Sequence, residues 1–190
     1  MFRPTRDRFD YILANPSTNS LQFDIKGAQE RWSWCDALFM SPPAWVRLYE
    51  ATGDKRYLDF MTREWWITTD YLYDKDEHLY FRDSTYFNKR EANGRKFSGV
   101  ANGWVAGTAR VLSYLPNDHS DRPRFEKLFR EMADKILLCP AIRRTLALQL
   151  ARSESYPLKE TSGQVFTYAL AWGMNYGLLI DQIPTGHREG

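Results

Sequence analysis

Asp36 stands in the run Trp34, Cys35, Asp36, Ala37, Leu38, at the mouth of an apolar segment and next to large aromatic side chains. A carboxyl group pressed against aromatic walls loses hydration. That disfavours its ionised form, raises its pKa and makes it a usable general acid near neutral pH. The same position also suits an N-cap for a helix that begins at Ala37, where the carboxylate would accept a free backbone N–H. Both readings fit the stretch. His78, one of three histidines, lies among acids and rings in DEHLYF; it can offer a polar or proton-carrying contact, or serve structure alone. Asn102, Gly103 and Trp104 open a second apolar segment. There a glycine permits close backbone approach, and the N–H groups of a helix start can meet a carboxylate. Glu160–Gly163 is a capping sequence ahead of the last apolar segment. Trp34 and Trp104 offer flat platforms of the kind that sugar rings use, although large rings also fill cores.

Composition narrows the classes. The 190 residues suffice for one core and are short for two domains, so residues 1–190 read as a single domain or part of one. Twenty-six Lys and Arg against 24 Asp and Glu leave a formal charge of +2, without a basic stripe that could track a phosphate backbone, which excludes nucleic acid as the expected partner. The two cysteines, Cys35 and Cys139, lie far apart, with neither CxxC nor HxxxH spacing. No structural zinc site or disulfide scaffold is expected, and a reducing, cytoplasmic setting fits. No apolar run approaches the ~20 residues of a membrane span, and MFRPTRDRFD has no hydrophobic leader. Aromatic residues make up 15% of the chain, with 7 Trp, 11 Tyr and 11 Phe, which favours ring-on-ring contact in the core and at a binding wall.

The elements that must position these residues are helical. The segment SPPAWVRLYEATG starts with prolines suited to a first turn and ends at Gly53, suited to a C-cap. Asp54 then caps a helix over 54–73 that places Tyr57, Leu58, Met61, Trp65 and Leu72 on one face. Residues 122–138 repeat the pattern with Phe125, Leu128, Phe129, Met132, Ile136 and Leu137, opposite a charged face. Residues 102–115 and 162–179 are apolar or small almost all round, as in helices buried on most sides. Inner helices alternating with outer amphipathic ones describe an all-α toroid better than a bundle. Residues 74–97 read as a long irregular loop with a short strand at His78–Arg82, and loops of that length are often functional.

In order along the chain, RWSWCDALFMSPPAW, TGDKRYLDFM, LYDKDEHLYFRDSTYF, NGWVAGTARVL and YPLKETSGQVFTYALAWGMNYGLL resemble successive blocks of the unsaturated rhamnogalacturonyl hydrolases. The resemblance implies an (α/α)6 barrel that removes a 4,5-unsaturated galacturonyl residue from pectin-derived rhamnogalacturonan oligosaccharides. It implies Asp36 as general acid and base, with Trp34, His78, Asn102, Gly103 and Trp104 on the substrate, and neither metal nor cofactor. The alternatives are a related unsaturated glucuronyl hydrolase, which shares the acid, or a non-catalytic helical module that binds glycan or protein. A repeat module should show a fixed period, and none is found.

The chain also departs from that family. Only about half of the helices of a closed (α/α)6 barrel can be found, and a second active-site aspartate expected upstream of Asp36 has no counterpart in the short lead. Val100 stands where the resemblance implies an arginine for a substrate carboxylate, and 137–157 departs as a block. A reading-frame test bears on the departures at 98–101, 139–153 and 180–190. Arg143 to Ser153 can be encoded so that a one-base shift reads DGPWRSSLLDP, close to the family's own pattern, and Phe97–Asn102 and Ile180–Thr185 behave alike. A damaged or misread coding sequence is therefore the expectation, and codons incompatible with the shifted frames would exclude it. The expected product is an incomplete barrel of low or no activity, whose uncovered inner helices self-associate.

Overall fold

Proline and glycine punctuation sets the register of the helices in the computed structural model, which describes residues 3–89, 102, 108–138 and 161–179. Four helices come first: α1 (Arg3–Ala14), α2 (Ala37–Met40), α3 (Pro42–Thr52) and α4 (Lys55–Leu72). A two-stranded antiparallel hairpin follows, β1 (Tyr73–Asp74) with β2 (Leu79–Tyr80), in which Tyr73 faces Tyr80 and Asp74 faces Leu79. Then come α5 (Thr108–Leu112), α6 (Arg122–Leu138) and α7 (Thr161–Asn175). Single 3-10 turns occupy Ala28–Glu30 and Ser84–Tyr86.

Pro42 and Pro43 supply the fixed φ and missing N–H that a first turn tolerates, and Gly53 ends α3 at φ 71°, where its N–H reaches the Tyr49 carbonyl at 2.7 Å. Asp54 caps α4 by accepting the Arg56 N–H at 3.1 Å. With only two residues between them, α3 folds back on α4, and Trp45, Tyr57, Leu58, Met61, Trp65 and Leu72 are all buried. On α6 the expected stripe is buried at Phe125, Leu128, Phe129, Met132 and Ile136, while Leu137 is half-buried.

The helix α5 is the hub, in contact with α2, α3, α6 and α7, and its Thr108, Ala109, Val111 and Leu112 are buried. This is the inner position expected for that segment. The other expected inner helix differs in part. Phe166, Ala169 and Trp172 of α7 are buried, but Tyr168, Met174 and the following Tyr176 are exposed, because the described elements cover one side of the helix only.

Two other features depart from expectation. No helix was expected at the N-terminus, yet α1 lies against α4, with the Phe9 ring 4.2 Å from that of Trp45 and Tyr57 donating a hydrogen bond to Asp10. The described part of the expected loop, 74–89, is an ordered hairpin end and a 3-10 turn, and its strand is shorter than His78–Arg82. Gly103, Trp104, Val100 and the departures at 98–101, 139–153 and 180–190 lie outside the described residues. Among the described residues no helix is long and apolar enough to cross a membrane.

Candidate active site

The segment that carries Asp36 is tied to α4 before the acid is reached. Arg31 donates to Glu64 Oε2 from Nε at 3.0 Å, its Nη2 lies 2.9 Å from the same oxygen as an ion pair, and its Nη1 donates to the Asn19 carbonyl at 3.1 Å. Thr68 on α4 donates its hydroxyl to the Trp32 carbonyl at 2.8 Å. On the other side the Cys35 N–H donates to the Arg82 carbonyl at 2.9 Å, joining the segment to the chain just beyond β2. Trp34, 40% exposed, is stacked on Phe23 at 5.1 Å and 18°. Phe23 is itself held by its N–H donating to Ser84 Oγ at 2.8 Å. An indole fixed this way, with much of its ring open, is a platform for a flat ligand.

Asp36 occupies the N-cap position of α2 with helical angles, φ −58° and ψ −29°, and its side chain makes no capping hydrogen bond. The carboxylate is therefore not used as the cap. The Cys35 thiol lies 3.5 Å from Oδ1 as a weak donor. Burial pushes the Asp36 pKa up; the Cys35 hydrogen bond and the Arg82 charge pull in the opposite direction, and buried Asp83 adds to the rise. The Cys35 thiol is held protonated by its own burial first and by Asp36 second. What results is a half-buried acid with its carboxyl held above the ordinary range by lost hydration, beside an exposed tryptophan.

Phe39 shares the face of α2 with Asp36, three residues on. Arg110 of α5 lies 4.7 Å above the Phe39 ring, and the two border an opening of about 320 Å³ with Val165 and Tyr168 of α7. Below the acid, Arg82 donates from Nε to Asp83 Oδ2 at 2.7 Å and covers the Tyr86 ring at 4.4 Å. Neither arginine carries a site expectation from the sequence. Arg82 is 46 positions from Asp36, and the pairing of Cys35 with the chain just beyond the hairpin brings the two together.

The remaining sequence candidates divide. His78 sits in the hairpin turn at φ 53°, its Nδ1 is 3.1 Å from the Tyr73 hydroxyl and 3.8 Å from Glu131, and it lines a cleft of about 420 Å³ between the hairpin and α6. Tyr73 donates to Glu131 Oε2 at 3.0 Å, so the hydroxyl oxygen is left to accept from His78. Four extended residues, roughly 13 Å, separate His78 from Arg82, which puts it at the opposite end of the hairpin from Asp36. Asn102 is buried, with its Oδ1 accepting the Tyr80 N–H at 2.7 Å and its Nδ2 donating to the Tyr80 carbonyl at 2.9 Å. It thus steadies β2, the strand that leads to Arg82. Among the described residues no group of three or more His, Cys, Asp or Glu is placed to hold a metal.

The sequence profile of Glycosyl Hydrolase Family 88 matches residues 1–185. An unsaturated 3S-rhamnoglycuronyl hydrolase of Alteromonas sp. is 34% identical over 95% of this chain and 47% of its own length. An enzyme of the same name from Formosa agariphila is 40% identical over 78% of this chain and 42% of its own. The chain thus spans about half the length of the curated relatives it matches. Among solved structures, a glycosyl hydrolase family 88 protein from Bacteroides vulgatus superposes with a TM-score of 0.72 at 32% identity, over 94% of this chain and 49% of that one. Such neighbours are (α/α)6 barrels, so the fold is about half of one, as the order of inner and outer helices implies.

Proposed function

The chain belongs to glycosyl hydrolase family 88, and from that premise we propose that it carries the acid-bearing half of a site that hydrates the double bond of a 4,5-unsaturated uronyl residue linked to rhamnose. The observation that supports this most is the state of Asp36: half-buried, raised in pKa by burial, not engaged as a cap, and two positions from the exposed platform of Trp34.

Asp36 in its protonated form donates its proton to C4 of the enol ether. Water adds at C5 and returns a proton to the carboxylate, so that one molecule of water is consumed and the acid is regenerated. The hemiketal formed at C5 opens, leaving a hemiacetal at C1 that expels the rhamnose side of the substrate. No displacement at the anomeric carbon is needed, and so no second carboxylate acting as nucleophile is required. Trp34 is the stacking surface for the unsaturated ring. Asn102 acts through the hairpin, as a positioning residue.

The choice between a galacturonyl and a glucuronyl substrate is narrower than the names suggest. The two uronates differ in configuration at C4, and the double bond removes that centre, so the unsaturated ring is the same from either source. Selectivity resides on the leaving side. The names of the Alteromonas and Formosa relatives support a rhamnose there. Pectic rhamnogalacturonan fragments are one source of such ends.

The second upstream carboxylate implied by the resemblance has no counterpart in these 190 residues, so the chain by itself should bind substrate without measurable turnover. The test follows loss of the enol-ether absorbance on an unsaturated uronyl-rhamnose disaccharide, together with quenching of tryptophan fluorescence by the same sugar. Binding without turnover is the expected result. Turnover abolished by Asp36→Asn would keep the reaction and overturn the expected inactivity. Turnover that survives Asp36→Asn would remove Asp36 from its role, and absence of both binding and turnover would overturn the substrate class.

A further inference from the structure

Arg82 is fixed at its backbone, at one edge and on one face. Its carbonyl pairs with the Cys35 N–H, which brings it beside Asp36. Its Nε donates to Asp83 Oδ2 at 2.7 Å, and its guanidinium carbon lies 4.4 Å from the centre of the Tyr86 ring. Asp83 is fully buried and is fixed in turn, its Oδ1 accepting from the Thr85 N–H at 2.9 Å and from the Thr85 hydroxyl at 2.6 Å. One edge and one face of the guanidinium are therefore occupied. Its Nη1 and Nη2 donors make no hydrogen bond among the described residues, and the side chain is 38% exposed.

A planar cation anchored by one edge presents its remaining donors as a fork, the geometry a carboxylate accepts bidentately. The unsaturated uronyl ring carries its carboxylate on C5, next to the C4 that Asp36 protonates. Any residue that binds that carboxylate must lie within side-chain reach of the acid, and Arg82 does. We infer that Arg82 holds the carboxylate of the unsaturated ring through Nη1 and Nη2, with Trp34 as the platform of the ring and Asp36 at C4. The inference rests on the hydrolase reading above and adds a uronate-specific anchor to it. It also links binding to catalysis. The Arg82 charge favours the ionised form of Asp36, and a bound carboxylate cancels that charge, so the acid gains its proton more readily when substrate is in place.

A second candidate is Arg110, which lies over the Phe39 ring at an opening shared with Val165 and Tyr168, with no carboxylate partner among the described residues. The experiment compares the affinity of the Asp36→Asn chain, by tryptophan fluorescence, for an unsaturated uronyl-rhamnose disaccharide and for its methyl ester. The acid should bind about ten- to hundredfold more tightly than the ester, the range for a charge-assisted pair. Arg82→Gln should abolish that preference, and Arg82→Lys, which keeps a cation without the fork, should restore only part of it. Equal affinity for acid and ester overturns the inference and leaves the hydrolase reading standing; failure to bind either sugar overturns both. A preference that survives Arg82→Gln and vanishes in Arg110→Gln also overturns it. If Arg82→Gln does not fold, an undiminished preference in Arg82→Lys overturns the fork.

Discussion

A carboxylate whose pKa is raised by burial is a liability to the fold. Burial raises the Asp36 pKa, and this exceeds what Cys35 and Arg82 recover. Its folded value therefore lies above the unfolded one. Between the ordinary aspartate value of about 3.9 and that raised value, the native state binds more protons than the unfolded state, so the contribution of Asp36 to stability falls as pH rises. Asp36→Asn should raise the melting temperature at neutral pH, and the gain should disappear as pH drops below the ordinary aspartate range; a lower melting temperature at pH 7 would show that the carboxylate is structural. Cys35→Ala removes a donor that favours the ionised form. It should shift the Asp36 titration, followed by carbon NMR of labelled aspartate, to higher pH. At this scale the sequence made Asp36 and Trp34 legible, because a carboxyl between rings and an apolar run is a local pattern. Arg82 was not, since its relation to Asp36 is made across the fold, by the pairing of Cys35 with the Arg82 carbonyl.

Element by element, legibility follows the strength of local signals. The bounds of α3, α4 and α6 could be read from prolines, Gly53, Asp54 and continuous apolar stripes, all of which act within one or two turns. The helix α1 has no fully buried residue, and its signal is the weaker spacing of Phe9, Ile12 and Leu13, supported by the Arg3–Asp7 and Arg6–Asp10 pairs. A half-covered stripe looks like a polar lead. The anchor that sets the Asp36 segment on α4 was equally hidden, because Arg31 and Glu64 lie 33 positions apart. Both side chains are largely buried, at 14% and 8% exposure. Glu64→Ala would leave a buried guanidinium without its carboxylate and should cost about 3–5 kcal/mol in denaturant unfolding. Asp54→Ala, the loss of one exposed cap, should cost clearly less than that. Similar losses for the two would mean that the Arg31 pair is not what holds the segment.

At the scale of the molecule, a half barrel leaves inner surface uncovered. Tyr168, Met174 and Tyr176 are 46%, 48% and 60% exposed on and just after a helix whose composition suits burial on most sides, and Met40 is 59% exposed beside the acid. Two copies, or one copy with a complementary half, could cover such a face, and burial of apolar surface would drive the contact at roughly 25 cal/mol per Å² before the costs of association. The sequence pattern implied inner helices, and only the three-dimensional arrangement shows which side of α7 stays open. Sedimentation of the 190-residue chain should therefore show concentration-dependent association. Tyr168→Glu combined with Met174→Glu should weaken it by placing charges on the open face. A monomer at all accessible concentrations, with a single cooperative melt, would mean that the half barrel is sufficient to itself; the open face would then be tolerated surface, as scattered exposed apolar side chains are in many monomers.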